Sequence, residues 1–260
     1  MSEKEKVVLR VKRQDSPSAK PYWEEYHLPY QPYLNVITCL QQTRKVLHTF
    51  DGRPTTPIVW ESSCLEEVCG ICTMVINGRV RQACSALIDQ LEQPVTLEPM
   101  KKFPLVRDLA VDRSSMFQNL KRVKAWVPLE DTEDHGPGPK ILPKDQHVNY
   151  ALSRCFSCGA CLEVCPQVSD RDSFVGAAII SQARLFNRHP IGKEIEIERL
   201  RALTGPGGIE DCGNAQNCVK ICPKEIPLVD SIAEVNREIT FNLINLLPRR
   251  QSRSHKVGHT

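Results

Sequence analysis

Hydrophobic and polar positions change period once along the chain, and the change divides it in two. Near the N-terminus Val7, Leu9 and Val11 alternate with polar residues, the period-two pattern of a half-buried strand. Val36, Ile37, Leu40 and Leu47 then fall on one helical face. Thr73–Ile76 and Arg79–Ala83 flank Asn77-Gly78, the strongest short hairpin signal, since both residues accept the left-handed backbone of a two-residue turn. Val95–Leu97 adds a further short strand. The pattern predicts a small mixed sheet with one helix packed on it.

Beyond it the period is helical. Ser115–Trp126 reads as a helix leading into the second half, which places a boundary near Arg113. Val175, Ile179, Gln182 and Phe186 keep helical spacing, and Leu185 widens their apolar face. Asp230 is positioned to cap a last helix in which Ile232, Val235, Ile239, Leu243 and Leu246 form a stripe. Between the halves Glu130–Lys144 is acidic and then rich in Pro and Gly, and reads as a long surface loop. The expected fold class is therefore α+β, with one domain over residues 1–113 and an all-α domain over residues 114–260.

Composition sharpens the picture in one respect. Hydrophobic residues make up 41% of the 260 and charged residues 25%, a balance suited to buried cores. No apolar run approaches the roughly 18–20 residues that span a bilayer. The opening MSEKEKVVLRVKRQD lacks the apolar segment of a signal peptide. A reducing compartment is expected, where a set of twelve cysteines points to metal ligands rather than disulfides.

The cysteine spacings say which metal. Cys155-x2-Cys158-x2-Cys161-x3-Cys165-Pro166 is the bacterial ferredoxin run, in which the fourth cysteine ligates the other cluster of a two-cluster protein. A second run follows as Cys212, Cys218, Cys222 and Pro223, but its second position is Ala215, which has no donor atom. The crossed rule assigns Cys155, Cys158, Cys161 and Cys222 to a [4Fe–4S] cluster. It leaves Cys165, Cys212 and Cys218 for a three-thiolate site, most simply [3Fe–4S], the rival being a four-iron cluster with one open iron. Cys64-x4-Cys69-x2-Cys72 has the plant-type [2Fe–2S] spacing. With Asn77-Gly78 as the turn, Cys72 faces Ala83, so Cys84 is diagonal to Cys72 and completes that set. Structural zinc is the alternative for these thiols. Cys39, among Ile37, Thr38 and Leu40, reads as a buried core thiol.

Charge excludes little. The formal charge is +3, and three oxidised clusters of about −2 each would move it to about −3, so no nucleic-acid reading follows. The tail residues Arg249, Arg250, Arg253 and Lys256 are locally basic, a solvated segment or a contact for an acidic subunit or lipid surface. Phosphate-binding glycine loops, a nucleophile elbow and histidine metal spacings are all missing from the sequence. No catalytic residue is expected; the chain reads as an electron conduit.

A plant-type site followed by two runs with one ligand missing resembles the iron–sulfur subunit of succinate dehydrogenase and fumarate reductase. Eleven cysteines in order carry the resemblance, and it spans nearly the whole chain. It implies a β-grasp plant-type ferredoxin domain followed by a helical two-cluster domain. It also implies a separate FAD flavoprotein partner where succinate and fumarate interconvert, and a quinone at the membrane as electron acceptor. Members that reduce ubiquinone usually carry Trp residues shortly after the first Cys-Pro and a His after the first cysteine of the second run. Here those stretches read Pro166-Gln-Val-Ser-Asp170 and Cys212-Gly213. QARLFNRHP (Gln182–Pro190) and DCGNAQNC (Asp211–Cys218) are instead similar to the Gram-positive, Bacillus-like enzymes, which pair with a di-haem cytochrome b anchor and use menaquinone. The resemblance implies peripheral attachment at the cytoplasmic face of the cell membrane. Fumarate reductase, running the same parts in reverse, is the other reading.

Overall fold

Alternation along Lys6–Arg13 folds as strand β1, with Val7, Leu9, Val11 and Arg13 all turned inward. The computed structural model describes residues 6–128, 138–169 and 173–246, with the backbone alone for 243–246. Strand β2 (Tyr22–Pro29) pairs antiparallel with β1 and sets Tyr26 opposite Leu9. An Asn35/Thr38 capping box opens helix α1 (Val36–Thr43): Asn35 Oδ1 accepts from the Thr38 N–H at 2.8 Å, and Thr38 Oγ1 from the Asn35 N–H at 2.9 Å. The helix stops at Thr43, so Leu47 does not join its apolar face and is 51% exposed. Its backbone is used elsewhere, the Leu47 carbonyl accepting the Thr55 N–H at 3.1 Å.

Strands β3 (Thr73–Ile76) and β4 (Arg79–Gln82) form the expected hairpin, with Ile76 opposite Arg79 and left-handed backbone at Asn77 and Gly78. β4 ends one residue early, although the Ala83 N–H still reaches the Cys72 carbonyl at 3.2 Å. Strand β5 (Val95–Glu98) runs parallel to β1 and antiparallel to β3, giving the order β2-β1-β5-β3-β4. This is the β-grasp arrangement, with Ile37 and Leu40 of α1 in one core with Leu9, Leu28, Ile76 and Leu97. A short ribbon of β6 (Leu105–Arg107) and β7 (Ala110–Val111) leads out of it.

All elements described after the ribbon are helical. Helix α2 (Ser114–Arg122) is shorter than the expected Ser115–Trp126, because Lys124 takes a left-handed backbone (φ 49°) and turns the chain. Trp126 instead offers its carbonyl to Arg199 Nη2 at 2.7 Å. The expected loop Glu130–Lys144 falls largely outside the described residues, but its end is helix: Pro143 opens α3 (Pro143–Ser153). Proline suits a first helical position, and Asp145 is held by Arg188 Nη2 at 2.8 Å. Helices α4 (Ala160–Glu163), α5 (Ala177–Arg188), α6 (Glu196–Ala202), α7 (Asn217–Ile221) and α8 (Leu228–Leu246) complete the domain. Val175 lies just before α5, buried, its N–H on the Gly207 carbonyl at 3.0 Å; Gln182 and Phe186 are only half-buried.

Asp230 does not cap α8. The Ser231 N–H already bonds the Pro227 carbonyl at 3.0 Å, which puts Asp230 inside the first turn, where its charge still favours the positive end of the helix dipole. Val235 and Ile239 are buried and Ile232 half-buried, whereas the Leu243 and Leu246 side chains lie outside the described residues. The two halves are pinned together by Glu163, whose carboxylate accepts the backbone N–H groups of Lys101 and Lys102, both at 2.8 Å. No described helix is long and apolar enough to cross a membrane.

Candidate metal centres

The segment from Cys64 to Cys72 is shaped by backbone conformations that most residues avoid. Leu65 (φ 63°) and Glu67 (φ 57°) are left-handed, as is Gly70 (φ 70°). For a non-glycine residue this costs on the order of 1–3 kcal/mol, and such strain collects at functional sites. Here it turns N–H groups toward sulfur. Cys64 Sγ accepts from the Val68 and Cys69 N–H groups, both at 3.3 Å, and Cys84 Sγ from the Glu67 N–H at 3.3 Å. The backbone N–H groups of Glu66, Val68 and Cys69 lower the Cys64 thiol to about 7. Burial, then the neighbouring Cys72, pushes the Cys84 thiol up to about 12. Cys72 precedes β3 and Cys84 follows β4, so the hairpin carries these two thiols side by side.

The two runs of the helical domain share one backbone design. Ser157 and Gly159, either side of Cys158, have φ of 52° and 84°; Asn214 and Gln216, either side of Ala215, have φ of 51° and 59°. Gly159 and Gln216 each start a short helix, α4 and α7, that carries the third cysteine of its run. After the fourth cysteines the turns repeat again: Val168 N–H bonds the Cys165 carbonyl at 3.3 Å, and Glu225 N–H the Cys222 carbonyl at 3.2 Å. Ala215 therefore stands where Cys158 stands.

Two concavities open between these loops. One, about 370 Å³ and partly open to solvent, is lined by Cys155, Cys158, Cys161 and Cys222. The other, about 410 Å³, is lined by Cys165, Cys212, Cys218 and Ala215. The thiols come together across the runs, with Cys222 beside the first run's cysteines and Cys165 beside the second's. Burial raises the thiol pKa values of Cys155 and Cys218, that of Cys158 to about 11, and that of Cys161 well above its ordinary value. Thiolates in such pockets need positive metal to offset their desolvation. Among the described residues no three His, Cys, Asp or Glu side chains are arranged to hold a single ion. All-thiol donors around a wider space, with N–H groups aimed at sulfur, fit polynuclear iron–sulfur groups.

Cys39 stands apart, fully buried in α1, its thiol pushed up to about 12 by burial. Three residues without a spacing signal in the sequence also meet these sites. Gln167 lies against Gly213 beside the three-thiol concavity. Phe156 packs on Gly70, and Arg113 donates to the Ile71 carbonyl at 2.6 Å. Only their positions beside cysteines of the runs or near the junction of the two halves could have flagged them.

Comparison with known proteins agrees with this geometry. The family described as a 2Fe-2S iron-sulfur cluster binding domain matches residues 8–118, and that described as a 4Fe-4S dicluster domain matches residues 151–226. The chain is 54% identical over 238 residues to the succinate dehydrogenase iron-sulfur subunit of Bacillus subtilis, covering 92% of this chain and 94% of that one. The chain belongs to the succinate dehydrogenase iron–sulfur subunit family. Membership makes it an electron-transfer subunit of an oxidoreductase complex. The fumarate reductase iron-sulfur subunit of Wolinella succinogenes is 29% identical, covering 90% of this chain and 97% of its own. A solved structure of the Mycobacterium smegmatis Sdh1 complex in the apo form shares the fold, with a TM-score of 0.73 at 20% identity, covering 93% of this chain and 98% of that chain.

Proposed function

We propose that this chain carries single electrons from an FAD-containing flavoprotein that oxidises succinate to a membrane menaquinone. In this reading residues 1–113 hold a [2Fe–2S] cluster on Cys64, Cys69, Cys72 and Cys84. Residues 114–260 hold a [4Fe–4S] cluster on Cys155, Cys158, Cys161 and Cys222, and a [3Fe–4S] cluster on Cys165, Cys212 and Cys218. Bound clusters would supply one-electron redox chemistry between a two-electron donor and a quinone. The chain's own residues supply thiolates, orient them and shield them. The N–H groups on Cys64 and Cys84 sulfur favour added negative charge at their site.

The observation that carries the reading is the repeated loop: two runs of one backbone design exchange their fourth cysteines, and one has alanine at its second ligand position. A three-iron group matches three thiols. The similarity to the Bacillus subtilis subunit supports succinate oxidation over its reverse, since the fumarate reductase subunit compared is only 29% identical. In this reading the resemblance of Gln182–Pro190 and Asp211–Cys218 to the Bacillus-like enzymes extends to a di-haem cytochrome b anchor, menaquinone, and peripheral attachment at the cytoplasmic face of the membrane.

Iron and acid-labile sulfide analysis of the purified complex tests the reading. The expected content is about nine non-haem iron and ten sulfide per chain. Zinc without sulfide would replace the conduit by a structural zinc protein.

A further inference from the structure

Between the first cysteine loop and the Phe156–Cys158 loop the two domains touch without a spacer. Gly70 has φ +70°, and a Cβ there would lie 2.5 Å from the Phe156 ring and 2.6 Å from Cys158 Cβ. Two cations reach this seam: Lys224 Nζ lies over the Phe156 ring, 5.3 Å from its centroid, and Arg113 is bonded to the first cysteine loop. Arg113 Nη2 donates to the Ile71 carbonyl at 2.6 Å, and weaker contacts at 3.5 Å join it to the Gly70 and Thr73 carbonyls. All three acceptors belong to the backbone that carries Cys69 and Cys72. Its Nε is buried with no hydrogen-bond partner, and among the described residues no carboxylate forms an ion pair with it. Burial disfavours its charge, whereas Glu61 and the sulfurs of Cys158, Cys72 and Cys69 favour it. Arginine keeps its proton in such places.

We propose that Arg113 is a positioning and charge-setting residue shared by two redox sites. It holds the Gly70–Thr73 backbone in place, and its positive charge raises the reduction potentials of the groups on Cys64/Cys69/Cys72/Cys84 and on Cys155/Cys158/Cys161/Cys222. The inference rests on the ligand assignment above. Its physical basis is that reduction adds negative charge, which a nearby unpaired cation in a low-dielectric seam stabilises. Arg113 lines a pocket with Cys69, Phe156 and Ser157 and does not line the three-thiol concavity of Cys165, Cys212 and Cys218, which serves as an internal control.

EPR-monitored redox titration of the assembled complex carrying R113Q tests it. Both the two-iron and four-iron midpoints fall, R113K stays close to the wild type, and the three-iron midpoint does not move. Unchanged midpoints in a fully loaded R113Q complex overturn the proposal, as does an equal shift of all three. If R113Q fails to load, R113M gives the same test, since it removes the charge while filling the seam; both midpoints then fall, and unchanged midpoints in R113M overturn the proposal. Loss of both groups in both variants, with the three-iron signal intact, also overturns it in favour of a structural role. Absence of cluster signals from the wild type would instead defeat the ligand assignment itself.

Discussion

At position 215 a methyl group stands where the parallel loop has a thiol. The φ values on either side match those around Cys158, so a cysteine side chain at 215 starts from a backbone already shaped to deliver one. A215C is expected to convert the three-iron site to a four-iron one, lower its potential and slow transfer to quinone. Spectra of the oxidised variant check this, and retention of the three-iron signal would sink the ligand assignment. A second residue-scale expectation concerns Arg13, fully buried between Glu24 and Asp108 and bonded to Asp108 at 2.9 Å. R13M leaves two carboxylates without their cation and costs about 3–5 kcal/mol, the usual penalty for breaking a buried pair from one side. Denaturant unfolding of the complex reads it; a loss under about 1 kcal/mol would contradict it. The gathering of the eleven cysteines was legible from their spacing, and the burial of Cys39 from its apolar neighbours. The places of Arg113 and Phe156 were not legible, because their partners come from across the chain and no local pattern records them.

Among elements, the hairpin and the central α5 could be read from period and turn residues, whereas β2 could not. Glu24 faces inward on β2, held by Arg13 and by Thr55 Oγ1 at 2.7 Å, so a buried charge breaks the alternation that would have revealed the strand. Helix α3 was hidden by the proline-rich stretch before it, since Pro143 reads as loop until its place at a helix start is known. Leu47 misled for the opposite reason: it fits the helical period, but α1 has already ended at Thr43. The crossing of the two runs is also an element-scale property. Cys222 follows α7 yet lines the concavity of Cys155, Cys158 and Cys161. C222S is therefore expected to remove most of the four-iron signal and spare the three-iron one. Selective loss of the three-iron signal would contradict the crossing.

Across the whole molecule, the cysteine sites follow one another from the sheet domain to the exposed Gly213–Asn217 loop. Gly70 and Phe156 close the first gap, and the shared runs close the second. Glu163 and Arg113 fix the seam between the halves, so the order of the sites is built into the fold as well as the sequence. The central claim is that three redox groups sit here and that one of them has three irons. Low-temperature EPR on the complex as isolated in air, then after dithionite, addresses it most directly. Oxidised two-iron and four-iron groups are diamagnetic, whereas an oxidised three-iron group has one unpaired spin. A sharp, nearly isotropic signal that disappears on reduction, replaced by reduced-cluster signals, is the expected result. An oxidised sample that lacks this signal and gains only reduced-cluster signals would contradict the account, because the site beside Ala215 would then hold four irons.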